Sequence, residues 1–216
     1  TLYILAGSNP KEIKSNEAGM KYFLLGSFAS GFILFGIALI YGATASFDLN
    51  EITLALQNPA TPKWFTLGAI LVVFGMLFKI AAFPFHFWAP DVYQGSPALT
   101  TALMSTLAKV VAMATFFKLN AVFAPNMPEN YEILLVVLII ATMFVGNIMA
   151  LRQDNIKRML AYSGISHAGF MMIALLNSEN SGAELFYYAT AYSLAGIAAF
   201  AVIISVCKNY EDEQIK

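Results

Sequence analysis

Long runs of uncharged, mostly apolar residues alternate along the chain with short polar segments. The longest uncharged runs cover residues 22–47, 64–78, 92–108, 133–151, 159–178 and 185–207. A helix needs about 20 such residues to cross the hydrocarbon core of a bilayer. The pattern predicts an all-α, polytopic transmembrane bundle, with spans at about residues 17–42, 64–89, 97–118, 131–151, 156–177 and 184–207.

The composition indicates that a bilayer is the solvent of this chain. Of its 216 residues, 59% are hydrophobic and 12% are charged, and the mean hydropathy is +0.68. A soluble domain of this size cannot bury so much apolar surface. The net charge of −1 comes without a long basic or acidic block, so no nucleic-acid partner is predicted. The single cysteine, Cys207, can form neither an internal disulfide nor a metal cluster.

The basic residues outside the spans predict an orientation. Alternating the loops places Lys63 and Lys118 on one side of the membrane. The opposite side receives Lys11, Lys14, Arg152, Lys157, Arg158, Lys208 and Lys216. Because basic loops are retained on the cytoplasmic side, this second side is predicted to be cytoplasmic.

Lys79 lies near the middle of the second predicted span, followed by Pro84 and His86. A charged lysine at the centre of a membrane helix costs about 2.5 to 3.5 kcal/mol, so a functional reason is expected. An amine held away from water gives up its proton more readily, which suits proton exchange. Pro84 leaves the carbonyl of Ile80 without its helical donor and predicts a helix break. Seven residues of continuous helix would place His86 on the same face as Lys79.

Lys109 lies at the centre of the next predicted span, and Thr101 and Ser105 precede it at intervals of four residues. This spacing predicts a stripe of hydroxyl groups that leads to the ammonium and can hold proton-relaying water. The ordinary pKa of histidine lies near neutral pH, so His167 in the fifth span suits the same task. A structural role stays open for these side chains, since an intramembrane histidine or lysine can also anchor a helix contact.

Glu17 and Lys21 are four residues apart, with the acid on the N-terminal side, which is the favourable order for a helical ion pair. The pair is interpreted either as part of a proton path or as a salt bridge at the membrane edge. The chain shows no glycine-rich phosphate loop, zinc-type spacing or nucleophile constellation. No cofactor, metal or redox site is therefore predicted within it, and its chemistry is predicted to be ion movement.

Two segments carry a resemblance to a known family: KIAAFPFHFWAPDVYQGSP at residues 79–97 and NIMALRQDNIKRMLAYSGISHAG at residues 147–169. They resemble the antiporter-like membrane subunits of respiratory complex I, and the resemblance extends over essentially the whole chain. The PDVYQG segment at residues 90–95 and Lys109 make the resemblance nearest to the subunit-N group of bacterial NADH:quinone oxidoreductase. The L and M paralogues and the cation/proton antiporters are the alternatives within the superfamily.

The resemblance implies a fold of fourteen transmembrane helices with inverted repeats and broken helices. Residues 1–7 would be the tail of the fifth helix, and the chain would run on to the eleventh. Lys79 would be the central lysine of the broken seventh helix, and Lys109 the connecting lysine of the eighth. The positions expected to hydrate or tune the path are His86, His167, Glu17 and Lys21. A glutamate of the fifth helix and a lysine of the twelfth would lie before Thr1 and beyond Lys216.

The function that the resemblance implies is proton translocation by a multi-pass subunit of the bacterial cytoplasmic (inner) membrane. NADH oxidation and quinone reduction would drive it, with FMN, iron–sulfur clusters and ubiquinone or another quinone bound in other subunits. The expected partners are the other membrane subunits of complex I and the lipid bilayer, so the label of oxidoreductase or translocase would describe the assembly. A cation/proton antiporter without a redox partner and a structural membrane scaffold are the alternatives.

Overall fold

The computed structural model describes residues 2–58, 62–178 and 180–207, and these residues are folded almost entirely as helix. The α-helices are α1 (Leu2–Ala6), α2 (Ile13–Thr44), α3 (Leu49–Leu56), α4 (Trp64–Ile80), α5 (Trp88–Gly95), α6 (Ala98–Leu103), α7 (Lys109–Phe123), α8 (Asn130–Ala150), α9 (Ile156–Met172) and α10 (Gly182–Cys207). A π-helical turn, Met104–Ala108, joins α6 to α7. Lys208 and Lys216, which were assigned to the cytoplasmic side, lie outside the described residues.

Five helical segments of the described chain are long and apolar enough to cross a membrane. They are Ile13–Thr44, Ala98–Asn126, Asn130–Ala150, Ile156–Asn177 and Gly182–Val206. Helix α4 is shorter, with 17 residues, and the predicted span at 64–89 is interrupted between α4 and α5. Helix α3 falls in a segment predicted to be loop, where the Asp48 carboxylate caps its first turn.

Helix α4 ends because the chain cannot continue its hydrogen bonds. Pro84 has no N–H to donate to the carbonyl of Ile80, and its ring would clash with that carbonyl. Ala81 instead takes the left-handed conformation, with φ at 58°. The N–H of Ala82 then donates to the carbonyl of Leu77 at 2.9 Å, which closes the helix end.

The interruption between α4 and α5 is held by side chains from within the bundle. The indole Nε1 of Trp88 donates to the carbonyl of Phe78 at 3.1 Å. The backbone N–H of Phe83, which precedes a cis proline, donates to the hydroxyl of Thr142 in α8 at 3.0 Å. An apolar membrane offers no water to such backbone groups, so a broken helix needs these protein partners.

Two helix pairs approach closely at glycines. A Cβ on Gly36 of α2 would lie 2.6 Å from the carbonyl oxygen of Gly68 in α4. A Cβ on Gly146 of α8 would lie 2.6 Å from the backbone nitrogen of Ser166 in α9. Because association of helices in lipid depends on close packing, these two contacts fix the α2–α4 and α8–α9 pairs that carry the polar side chains described below.

Candidate functional site

Lys109 is buried at the start of α7, directly after the π-helical turn. The residue is 3% exposed, and its ammonium donates to the carbonyl oxygen of Gly164 in α9 at 2.8 Å. Among the described residues, no carboxylate forms a salt bridge with it. A buried ammonium with so little compensation is sensitive to the charges and dipoles around it.

Aromatic side chains from α9 and α10 form a group that reaches the neighbourhood of the same ammonium through Tyr192. Nδ1 of His167 lies 2.8 Å from the hydroxyl of Tyr188, and the ring of Tyr192 lies 5.0 Å from the imidazole ring. The hydroxyl of Tyr192 and the ammonium of Lys109 both lie within about 3 Å of the position that a Cβ on Gly164 would take. We call these residues, Lys109, Gly164, His167, Tyr188 and Tyr192, the Lys109 cluster.

The structure brings Lys109 and His167 together, and it adds two tyrosines that the sequence analysis missed. Their local signal is modest: Tyr188 and Tyr192 are four residues apart and therefore share one face of α10. Nothing in that spacing indicates that the face meets α7 and α9. The cluster depends on contacts between residues far apart in the chain.

The hydroxyl stripe stays a prediction: Thr101 and Ser105 are buried like Lys109, and both donate to backbone carbonyls. Thr101 donates to the carbonyl of Tyr93 at 3.1 Å, and Ser105 donates to the carbonyl three residues before it at 3.0 Å. Both hydroxyl protons therefore serve the backbone.

Lys79 lies in the last turn of α4, half-buried at an apolar groove of about 610 Å³. The walls of the groove include Leu2 and Leu5 of α1 and Leu107 and Val111 from the neighbourhood of α7. Within the described part of the chain, the ammonium has no hydrogen-bond or ion-pair partner. Lys79 is therefore a cation without local compensation beside an apolar surface.

His86 lies in the interruption between α4 and α5, together with Pro84. Its half-buried ring stacks on the ring of Phe83, with centroids 5.7 Å apart. The prediction that it shares a face with Lys79 is wrong, because that argument needs helical geometry and residues 81–87 do not form a regular helix. A path through both residues would depend on the bent segment and not on one helix face.

Glu17 and Lys21 form the expected ion pair in α2, at 2.6 Å. The ammonium of Lys21 also contacts the carboxylate of Asp91 in α5 at 3.1 Å, and the other oxygen of that carboxylate lies 2.5 Å from Arg158 in α9. These four residues form a charged network that connects three helices. Asp91 and Arg158 were missed as site residues, although each lies within a quoted family segment.

Asp91 holds the charged network together. Burial alone raises the pKa of its carboxyl group, but the hydrogen bonds from Arg158 and Lys21 outweigh burial and hold this pKa below its ordinary value of 3.8. The shared acid therefore stays ionised at neutral pH and connects α5 with α2 and α9. All four side chains are between 29% and 56% exposed, so the network lies at an edge of the bundle.

Asp91→Asn is expected to lower the free energy of unfolding by about 1 kcal/mol, because two partly exposed ion pairs lose their shared acid. The contribution is full above the ordinary carboxyl pKa of 3.8 and is lost as the pH falls through the lowered value, so the two proteins should converge in acid. Thermal unfolding of the purified full-length protein at several pH values measures this. The matched control is Asp154→Asn, since Asp154 is exposed and has no described ion pair. Equal stability of both variants at neutral pH would contradict the assignment.

The described residues contain no group of three or more histidine, cysteine or carboxylate side chains able to hold a metal ion. No described hydrogen bond or ion pair joins Lys79 to the Lys109 cluster or to the charged network. The site residues therefore form four separate polar locations: Lys79 at its groove, His86 in the interruption between α4 and α5, the Lys109 cluster and the charged network. Their chemistry is protonation and hydrogen bonding within helices.

Comparison with known proteins places these features in a family. The chain matches the family described as "NADH:quinone oxidoreductase/Mrp antiporter, TM" over residues 1–215. It is 62% identical to the NADH-quinone oxidoreductase subunit N of Flavobacterium psychrophilum, covering 100% of this chain and 47% of the relative. The subunit N of Flavobacterium johnsoniae is 61% identical, with 99% and 48% covered. The chain thus spans about half the length of these relatives.

Solved structures give the same result. Respiratory complex I from Thermus thermophilus contains a chain that is 40% identical, with a TM-score of 0.78, covering 94% of this chain and 43% of that one. A chain of the archaeal membrane-bound sulfane sulfur reductase is 29% identical, with a TM-score of 0.84 and 95% and 42% covered. The Mrp complex from Dietzia, 23% identical with a TM-score of 0.78 over 89% of this chain and 35% of that one, shares the fold. The all-α membrane fold predicted from the sequence is confirmed, and the chain belongs to the NADH:quinone oxidoreductase/Mrp antiporter family of transmembrane proteins.

Proposed function

We propose that the protein containing this chain is a proton-translocating membrane subunit of NADH:quinone oxidoreductase, of the subunit-N type. Two relatives above 60% identity carry that name. Its place is the bacterial cytoplasmic membrane, beside the other membrane subunits of the complex. NADH, FMN, iron–sulfur clusters and quinone bind in those other parts of the assembly, and this chain supplies proton-carrying groups.

The observation that carries the proposal is the buried ammonium of Lys109, held by one backbone carbonyl and with titratable rings in its neighbourhood. A fully charged lysine at this depth is expensive, so a purely structural use of it is unfavourable. A group whose charged and neutral forms are close in free energy can accept a proton and release it again. Lys109 thus serves as a proton-exchanging group of the path.

In this proposal, the other polar groups extend the path beyond Lys109. The hydrogen-bonded pair of His167 and Tyr188 can receive a proton on one atom and release one from another. Lys79, at its apolar groove, is the other lysine of the path, and charges interact strongly in a medium of low dielectric. A change of charge at one location therefore moves protons at the next.

A cation/proton antiporter is the second candidate, because the matching family includes the Mrp antiporters and the Dietzia complex shares the fold. It would use the same lysines with a cation gradient in place of a redox reaction. The identity above 60% to subunits N favours the redox-linked function. A structural scaffold, in which the polar groups only join helices, leaves the buried ammonium unexplained.

Proton uptake into inverted membrane vesicles that contain the full-length protein in its assembled complex tests the proposal. We expect uptake that starts with NADH, stops when quinone reduction is inhibited, and is missing from vesicles without this protein. A sodium or potassium gradient applied without NADH should produce no uptake beyond that of the deficient vesicles. Uptake driven by the cation gradient alone would establish the antiporter function instead.

A further inference from the structure

Gly164 occupies the point at which α9 passes both α7 and α10. Its carbonyl oxygen accepts the hydrogen bond from the Lys109 ammonium at 2.8 Å. Gly164 itself is buried, and Lys109 approaches it from a position 55 residues earlier in the chain. The residue thus contributes a backbone acceptor to the Lys109 cluster, where no described carboxylate forms a salt bridge with the lysine.

The missing side chain of Gly164 matters as much as its carbonyl. A Cβ at this position would lie 3.0 Å from the ammonium nitrogen of Lys109 and 2.9 Å from the hydroxyl oxygen of Tyr192. Both distances are shorter than ordinary van der Waals contact between carbon and a polar atom. The ammonium and the hydroxyl therefore both border the space that the glycine leaves free.

The two groups that border this space come from different helices, Lys109 from α7 and Tyr192 from α10. His167 lies on the same helix as Gly164, and Tyr188 and Tyr192 lie on α10. On the α7 side, the π-helical turn ends immediately before Lys109 and sets the direction in which its side chain leaves the helix. These helices meet around Gly164, and the side chains that border it can exchange protons.

We propose that Gly164 is a positioning residue of the proton path: its carbonyl fixes the Lys109 ammonium, and its missing side chain keeps the ammonium beside the Tyr192 hydroxyl. This inference rests on the proposed function, in which Lys109 exchanges protons. Glycine is then required at this position for the geometry of proton exchange. If Gly164 served helix packing alone, glycine would be required there only for the stability of the bundle.

Gly164→Ala in the full-length protein within the assembled complex is the direct test. We expect NADH-driven proton uptake to fall about tenfold, because a displaced ammonium loses a hydrogen bond to a charged group and its neighbouring hydroxyl. The pH profile of the remaining uptake should also change, which a loss of packing alone would not produce. The matched control is Gly31→Ala, because a Cβ on Gly31 of α2 meets no atom within 4 Å. It should retain the uptake and pH profile of the wild type.

A second comparison covers the case in which Gly164→Ala lowers the amount of assembled complex. The same change is then made in a Lys109→Ala, Tyr192→Phe background, which removes both atoms that lie within 4 Å of the added methyl group. Recovery of assembly in that background supports the contact, whereas an equal loss in both backgrounds overturns it. Wild-type uptake and an unchanged pH profile in an assembled Gly164→Ala complex would also overturn it.

The proposed function and this inference can be disproved independently of each other. Removal of the Lys109 amine in an assembled complex tests whether this lysine exchanges protons. If proton uptake depends on Lys109 but Gly164→Ala behaves like Gly31→Ala, the positioning role alone is wrong. If uptake does not depend on Lys109, the proposed path is wrong whatever the behaviour of Gly164.

Discussion

Lys79→Ala is expected to reduce NADH-driven proton uptake in the assembled complex by on the order of a hundredfold. A charge within an apolar span costs about 2.5 to 3.5 kcal/mol. Without the amine that accepts it, a proton would have to overcome this cost, which corresponds to a rate lower by on the order of a hundredfold. The surroundings of Lys79 strengthen the expectation, because the groove beside it is apolar and no described side chain pairs with its ammonium. Proton uptake per NADH oxidised, in membrane vesicles that carry the full-length variant, is the measurement.

The control for this change is Lys118→Ala, since Lys118 is also a helical lysine of this chain but is exposed. It should pump like the wild type, and the amounts of assembled complex should be equal in all three preparations. Normal uptake and coupled turnover in an assembled Lys79→Ala complex would show that Lys79 is not a proton carrier. The lysine would then be a packing feature at the end of α4.

Lys109→Met is expected to remove proton uptake while leaving the assembled complex at least as stable as the wild type. Methionine fills most of the volume of the lysine chain, and replacing a buried charge with an apolar group of similar size is often neutral or stabilising, by about 1 to 4 kcal/mol. The carbonyl of Gly164 lies inside α9, where the regular helical ladder supplies a donor. Loss of the ammonium therefore does not leave the Gly164 carbonyl without a hydrogen-bond donor.

Two measurements on the same preparation check this expectation: proton uptake per NADH oxidised, and the temperature at which the purified complex loses its subunits. If the charge of Lys109 serves function at a cost to folding, its removal lowers proton uptake and leaves the stability of the complex unchanged or higher. Lower stability with normal uptake would reverse the assignment. Lys109 would then serve helix packing, and the proton path would have to pass elsewhere.

The sequence predicted the interruption near Pro84 because proline acts through its own ring and its missing N–H. The prediction that His86 shares a helix face with Lys79 failed, because the same interruption removes the helical geometry on which the seven-residue spacing depended. The Glu17–Lys21 pair was predictable for the opposite reason: both residues lie in one uninterrupted helix, so their spacing fixes their distance.

The partners of the lysines were not predictable from local spacing. Asp91 and Arg158 are 67 residues apart in the chain, and Lys109 and Gly164 are 55 apart. Tyr192 showed no local sign of a site, since an aromatic residue in an apolar helix has the pattern of a packing group. The π-helical turn before Lys109 was also missed, because nothing in the alternation of apolar and polar residues there departs from an ordinary helix.

The sequence by itself determined the class of the protein: a bundle of membrane helices with two lysines inside it. This follows from composition along short stretches, since the length of an apolar run fixes its ability to span a bilayer and a central charge stands out against it. The tertiary structure decided which groups those lysines meet. Packing brought the Gly164 carbonyl and the aromatic rings to Lys109 and left Lys79 at an apolar groove, because such contacts depend on how whole helices approach each other.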